Sequence, residues 1–230
     1  MSDKKQILYV EDDETLGYIT RDSLELQGFQ VIHCSNGADA IARFNPEDIS
    51  ICLLDVMLPK IDGFSVAREI RRIDQHVPII FITARSLKDD RIEGLRIGAD
   101  DYIVKPFSIE ELILKIKVFL KRSRVNQADD HAQIVKLGLF SFDRNNQTLS
   151  RGTEEIRLTQ REAELLLLLI GNKNQVVKKE DILKTIWFDT NSVYSRSVDV
   201  FISRLRKMLI ADPDLKIENI HGVGYRLRML

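Results

Sequence analysis

Cysteine is scarce: Cys34 and Cys52 are the only two in 230 residues. Both sit inside apolar, strand-like runs without metal-ligand spacing, which argues against a disulfide framework and a thiolate metal site; they read as small buried hydrophobes. Long apolar runs are missing too. The longest unbroken aliphatic run, residues 165–170, is far short of the roughly 20 residues that span a bilayer, and no basic segment with an apolar stretch after it opens the chain. A cytoplasmic protein without membrane contact is expected. A Gly-rich phosphate loop of P-loop or dinucleotide type is also lacking, so a nucleotide-binding reading loses its usual signature. Neither charge sign dominates: the formal net charge is −1.

What is present is enough apolar content, 44%, to build real cores, over a length that accommodates two ordinary domains. Of the 34 Lys+Arg and 35 Asp+Glu, residues 1–124 hold 18 and 21, so the first half is acidic and the remainder slightly basic. Residues 125–133, VNQADDHAQ, are polar and aperiodic and read as a linker. The expected domains are 6–122 and 134–229, with 123–133 between them.

The first half alternates short apolar runs (7–10, 31–33, 51–54, 79–82 and 102–104) with helix-period segments. Five βα units imply a parallel sheet with helices on both faces. Polar side chains follow these runs: Glu11-Asp12 after the first, Asp55 after the third, Thr83 after the fourth and Lys105-Pro106 after the fifth. Any one of them alone would read as a helix N-cap or a solvated loop residue. Together they converge, because ligands of open α/β sheets bind outside the carboxyl ends of the strands. Carboxylates about 4 Å apart repel by roughly 1 kcal/mol in water and 4 kcal/mol at an effective dielectric of 20, so three of them call for a proton or a cation. Oxygen ligands suit Mg²⁺ or Mn²⁺ rather than zinc. A divalent ion beside a carboxylate, an ammonium and a hydroxyl makes a phosphoryl-transfer site, in which Lys105 and the metal neutralise phosphate oxygens, Thr83 donates to another, and Asp55 attacks.

The segments VEDD (10–13), LDVMLPKIDG (54–63), ITAR (82–85) and GADDYIVKPF (98–107) resemble the receiver domain of two-component response regulators, a flavodoxin-like (βα)5 fold. The resemblance implies that Asp55 accepts a phosphoryl group from a sensor histidine kinase. It implies Mg²⁺ on Asp12, Asp55 and the backbone carbonyl of Met57, with Glu11 acting through water, a switch pair Thr83 and Tyr102, and Lys105 as the phosphate-binding cation. Asp13 is given a solvated or helix-capping role. The resemblance also implies a homodimer, formed on phosphorylation, through the helix before the fifth strand, that strand and the helix after it. Cross-subunit pairs Arg91–Glu111, Asp100–Lys115 and Asp101–Arg122 would surround an apolar patch containing Leu114.

From residue 134 short alternating runs with turn signals predict a small antiparallel sheet. Thr159-Gln160-Arg161-Glu162 matches a capping box opening a leucine-rich helix. Residues 178–187 read as a second helix and 195–210 as a third, before two strands flanking HGVG (221–224). On the third helix Val198, Ile202, Leu205 and Leu209 form the buried stripe, with Arg196, Arg204, Arg206 and Lys207 off it. A basic last helix beside a glycine-tipped hairpin is the layout of a helix-turn-helix with a wing.

LTQREAELL (158–166), SVDV (197–200), RLRK (204–207) and GVGYR (222–226) resemble the winged-helix effector domain of the OmpR/PhoB family. The resemblance implies α/β plus α+β architecture and binding of double-stranded DNA as tandem half-sites, with RNA polymerase as a further partner. Arg196 and Arg206 would meet phosphate, Arg204 and its neighbours a base edge, and His221 to Arg226 the wing contacts. Phe201 and Ser203 stand where the family often carries basic or polar DNA contacts, and His221 where arginine is common.

Two other classes compete. Haloacid-dehalogenase-type phosphatases also use an aspartyl nucleophile with Mg²⁺, but an acid follows theirs two places later, where this chain has Met57. A DNA-binding regulator whose receiver only dimerises would often lack part of the acidic or Lys/Thr set, and this chain keeps all of it. An enzyme is therefore not expected: the chemistry is a phosphoacceptor's, with at most self-catalysed phosphorylation and dephosphorylation.

Overall fold

The computed structural model describes residues 6–84, 94, 97–125, 133–187 and 195–229, without the side chains of 121–125, 195 and 196. The chain divides into two compact units, Met1–Ala128 and Asp129–Leu230.

In the first unit β1 (Gln6–Val10), α1 (Glu14–Leu26), β2 (Gln30–Cys34), α2 (Gly37–Arg43), β3 (Ile49–Asp55), α3 (Gly63–Ile73), β4 (Ile79–Thr83), β5 (Asp101–Val104) and α4 (Ile109–Val125) follow one another. The five strands are parallel in the order β2-β1-β3-β4-β5. Ile7, Tyr9, Ile51, Leu53, Ile80, Ile82 and Ile103 pack one sheet face against Leu112, Ile116 and Phe119 of α4. Central strands covered on both faces read as continuous apolar runs, which is why β3 and β4 are buried along their length apart from the half-buried Ser50.

Caps fix where the helices start. The Asp13 carboxylate accepts the Leu16 N–H at 2.9 Å, so Asp13 is the N-cap of α1, and Asp62 does the same for α3 through Ser65 at 2.7 Å. The first residue of α3, Gly63, lies against β3 so closely that a Cβ there would overlap the Asp55 carbonyl oxygen and stand 3.0 Å from Val56 Cα. Gly63→Ala is therefore expected to cost about 1–3 kcal/mol, the usual range for overpacking, and to lower the thermal midpoint. Because the backbone that must shift carries Asp55, the placement of that carboxylate should change as well. A melt like that of the wild type would contradict this packing.

The second unit contains a four-stranded antiparallel sheet of β6 (Ile134–Leu137), β7 (Phe140–Asp143), β8 (Thr148–Arg151) and β9 (Glu154–Arg157). Its first two strands form a hairpin, turned at Gly138 with φ +58 and tied by the Leu139 N–H to Asp212 Oδ2 at 2.7 Å. Then come α5 (Gln160–Gly171), β10 (Val177–Lys178), the short α6 (Lys179–Ile182), α7 (Ser195–Met208), β11 (Leu215–Ile220) and β12 (Gly224–Met229). The stretch expected to be one helix, 178–187, is divided: Lys178 pairs with Gly224 in β10–β12, and after α6 residues Leu183–Trp187 form a wider π-helical turn. β12 is the middle of a sheet ordered β10-β12-β11, and the β11–β12 hairpin turns at 221–223.

Candidate functional site

β1 and β3 are neighbours, and the connections from them leave toward opposite sides of the sheet order, since β2 flanks β1 and β4 flanks β3. This is the switch point at which an open parallel sheet leaves a crevice. Glu11 and Asp12 follow β1 there and Asp55 ends β3; carboxylate oxygens of the three lie within 4.8 Å of one another. Glu11 and Asp55 are buried and Asp12 is exposed.

Lys105, just beyond β5, is the cation among them. Its Nζ is 2.6 Å from Asp55 Oδ2 and 2.7 Å from Glu11 Oε2. The other Asp55 oxygen, Oδ1, accepts the Met57 N–H at 2.8 Å. Thr83, at the end of β4, is buried, and its carbonyl oxygen accepts the Lys105 N–H at 2.9 Å, which fixes the start of the lysine loop. Tyr102 on β5 is buried against Phe81, with ring centroids 5.4 Å apart, and its hydroxyl comes up against Gly94.

Burial raises the Glu11 carboxyl, while the hydrogen bond from Lys105 pulls it back. Burial also pushes the Lys105 ammonium down, but its bonds to Asp55 and Glu11 outweigh this and the net shift is upward. Three carboxylates against one ammonium leave an excess of negative charge in an oxygen-rich cluster. That donor set and charge fit a divalent cation.

Sequence reasoning did not identify the scaffold behind Glu11. Its backbone carbonyl lies 3.1 Å from His33 Nε2, and Tyr9, wholly buried, reaches Glu11 Oε2 at 3.4 Å. An aromatic phenol inside an otherwise aliphatic strand, two residues before the acid, was the available signal.

On the expected dimer face, Glu111 and Leu114 are exposed, Leu114 at 64%. Within the chain the two aspartates have different partners. Asp100 is buried and bonded to Arg71 Nη2 at 3.1 Å and to the Ile79 N–H at 3.0 Å, because adjacent residues at a strand start point to opposite faces and Arg71 of α3 reaches under the sheet. Lys115 pairs with Asp101 of its own chain at 2.8 Å. Arg91 and the side chain of Arg122 lie outside the described residues.

In the second unit α5, α6 and α7 form the three-helix group and β11–β12 the wing. Val198, Phe201, Ile202, Leu205 and Leu209 are buried along one side of α7, whereas Ser203, Arg206 and Lys207 are exposed. Phe201 is thereby corrected from a DNA contact to a core residue: it follows Val198 by three and is fully buried, 5.6 Å from the Trp187 ring. Arg204 is half-buried, with Nη1 3.0 Å from Glu162 Oε1. Arg206 donates from Nε to the Ile217 carbonyl at 2.8 Å, which ties α7 to the wing strand. On the wing His221 is exposed, and Arg226 is paired with Glu218 at 2.7 Å. Between α7 and the wing lies a hollow of about 400 Å³, in whose wall Asp199 binds Lys179 at 2.6 Å and the Tyr225 hydroxyl. The Arg196 side chain lies outside the described residues.

A five-stranded parallel sheet with three acids and a lysine at its switch point, followed by a helical group with a β-hairpin wing, defines a response regulator with a DNA-binding effector domain. The comparisons agree: residues 7–117 match the response regulator receiver domain family and 152–227 match the transcriptional regulatory protein, C terminal, family. The chain is 43% identical to the transcriptional regulatory protein RprY of Bacteroides fragilis, over 99% of this chain and 96% of that one. Among solved structures it is similar to response regulator DrrB of Thermotoga maritima, an OmpR/PhoB homolog (31% identity, TM-score 0.51, 98% of this chain and 99% of that one). It is also similar to a mutant of RitR (26% identity, TM-score 0.71, 98% and 100%). The chain belongs to the OmpR/PhoB family of two-component response regulators. No described helix is long and apolar enough to cross a membrane.

Proposed function

We propose that Asp55 accepts a phosphoryl group from a sensor histidine kinase, and that the acyl phosphate drives pairing of two chains on promoter DNA with tandem half-sites. The observation that carries the reading is the environment of Asp55: one oxygen on Lys105 Nζ at 2.6 Å, the other on a backbone N–H at 2.8 Å, at the carboxyl end of a central strand. Asp12, Asp55 and the Met57 carbonyl would hold Mg²⁺ (or Mn²⁺), with Glu11 acting through water. When bound, the ion would offset phosphate charge at the reacting oxygens. Lys105 neutralises another phosphate oxygen, and the Thr83 hydroxyl donates to a third. Loss of Thr83 from its resting place lets Tyr102 respond, and the β5–α4 face with Glu111, Leu114, Asp101 and Lys115 carries the signal to a second chain, with Arg91 and Arg122 as further members. Single exposed ion pairs there are worth about 1 kcal/mol or less, so the group sets specificity rather than strength. RNA polymerase would be met downstream of DNA binding.

Intact-mass measurement after acetyl phosphate and Mg²⁺ tests the phosphoacceptor reading. One phosphoryl group, removed by hydroxylamine, is the expected result; no mass change, or a hydroxylamine-resistant adduct, contradicts it.

On DNA, Arg206, Lys207 and Arg196 are assigned to phosphate, Arg204 and Ser203 to the major-groove floor, and His221 and Arg226 to the wing contact. Arg206→Ala should weaken binding to every sequence alike and reduce the slope of log K against log salt by roughly one. Arg204→Ala should cost about 1–3 kcal/mol at a preferred site and little on random duplex. Salt titrations of both variants on both duplexes decide between these roles; indistinguishable losses would remove the recognition-helix assignment.

A further inference from the structure

Glu162 serves two helices at once. Its Oε2 accepts the Thr159 N–H at 2.9 Å and completes the capping box of α5, while its Oε1 accepts Arg204 Nη1 of α7 at 3.0 Å. The Glu162 side chain is 4% exposed and that of Arg204 20%, so solvent and salt screen the pair little. The Arg204 guanidinium also lies over the Phe201 ring, 5.7 Å from its centroid, and that ring is fixed in the core against Trp187. A free arginine side chain gives up rotamer freedom when it is held in one geometry. Here carboxylate and ring impose that geometry before DNA arrives.

We propose that Glu162 is a positioning residue for base recognition: by holding Arg204 on the Phe201 platform it orients the guanidinium fork, whose natural target is the O6/N7 edge of guanine, and so sets preference for a DNA site rather than general affinity for DNA. This rests on the assignment of Arg204 as the base-reading residue. The pair spans 42 positions in sequence and joins the first and last helices of the group, so recognition depends on α5 as well as on α7.

The cap and the positioning role separate chemically. Glu162→Gln keeps a side-chain oxygen for the Thr159 N–H, since Glu and Gln both serve at that place in a capping box. It then turns an amide NH₂ toward the guanidinium, and two donors face each other. The test uses the full-length chain and two probes: a duplex enriched from a random pool by the wild-type protein, and the same duplex scrambled. Glu162→Gln should leave scrambled-duplex affinity and salt slope unchanged and reduce the preference for the enriched duplex roughly tenfold or more. Arg204→Ala should show the same selective loss, and the double variant no larger one, because both changes act on one contact. If Arg204→Ala is selective and Glu162→Gln retains full preference, positioning is overturned and base reading stands. If Arg204→Ala loses both duplexes equally, base reading fails and the positioning role fails with it. Tighter binding of Glu162→Gln to both duplexes would mean that the pair restrains Arg204, the opposite of the proposal. Arg204→Lys covers the case in which Glu162→Gln does not fold: it leaves Glu162 and its cap intact, keeps the charge and removes the fork. It should lose the same preference, and full preference with lysine would overturn the proposal.

Discussion

Asp55→Asn should carry no phosphoryl group after incubation with acetyl phosphate and Mg²⁺ under conditions that label the wild type. The carboxamide has nearly the shape of the carboxylate, so its oxygen still accepts the Met57 N–H that holds Asp55 Oδ1 at 2.8 Å. What it lacks is an anionic oxygen able to form the acyl phosphate. The fold should survive, since the change removes one charge from a crowded cluster and no core contact; Asp55 sits at the sheet's end with Glu11 and Asp12 as neighbouring acids. Intact mass and a thermal melt on the same sample separate the two outcomes. A folded variant that still labels at another acid, Glu11 or Asp12, would show that the nucleophile has been misassigned.

Lys105→Met should slow phosphorylation by about 10²–10³-fold, the usual cost of removing one preorganised donor from a transition-state oxygen. The same change should weaken the fold in a way that depends on metal. Glu11 and Asp55 lose the ammonium that sits 2.7 and 2.6 Å from them, and leaving buried charges uncompensated costs about 3 kcal/mol or more when burial is complete. Lys105 keeps 18% of its side chain exposed, so a smaller loss is expected. Added Mg²⁺ should recover much of it, because an ion that binds only the folded state stabilises it by mass action. Melts with and without Mg²⁺, run beside a phosphorylation time course, measure both effects. A variant phosphorylated at the wild-type rate would contradict the role given to the lysine.

The site of the first domain was legible because its residues mark strand ends. Glu11, Asp12, Asp55, Thr83 and Lys105 each follow an apolar run, and a parallel sheet brings all such ends to one edge. Contacts that depend on reach across the fold were not legible. Nothing near Asp100 or Asp101 in sequence says that Arg71, 29 residues before Asp100, takes the first and leaves Lys115 to the second. Phe201 was legible in principle: Val198, Phe201, Ile202, Leu205 and Leu209 follow helical spacing, and the pattern outweighs a resemblance that assigns the position to DNA. The capping box at Thr159 was visible locally, but the second duty of its Glu162, toward Arg204, is a tertiary fact. The divided stretch at 178–187 has a similar cause: pairing of Val177 and Lys178 with the wing strand competes with helix for the same residues.

Control of DNA binding by the state of Asp55 is the central claim. The most direct test is binding of the full-length chain to a duplex with two half-sites about one helical turn apart, with and without beryllofluoride and Mg²⁺, for wild type and Asp55→Asn. The account predicts that beryllofluoride makes wild-type binding tighter and cooperative, that inserting half a turn between the half-sites abolishes the cooperativity, and that Asp55→Asn does not respond. Superimposable wild-type curves with and without beryllofluoride, or an equal response in Asp55→Asn, would contradict it.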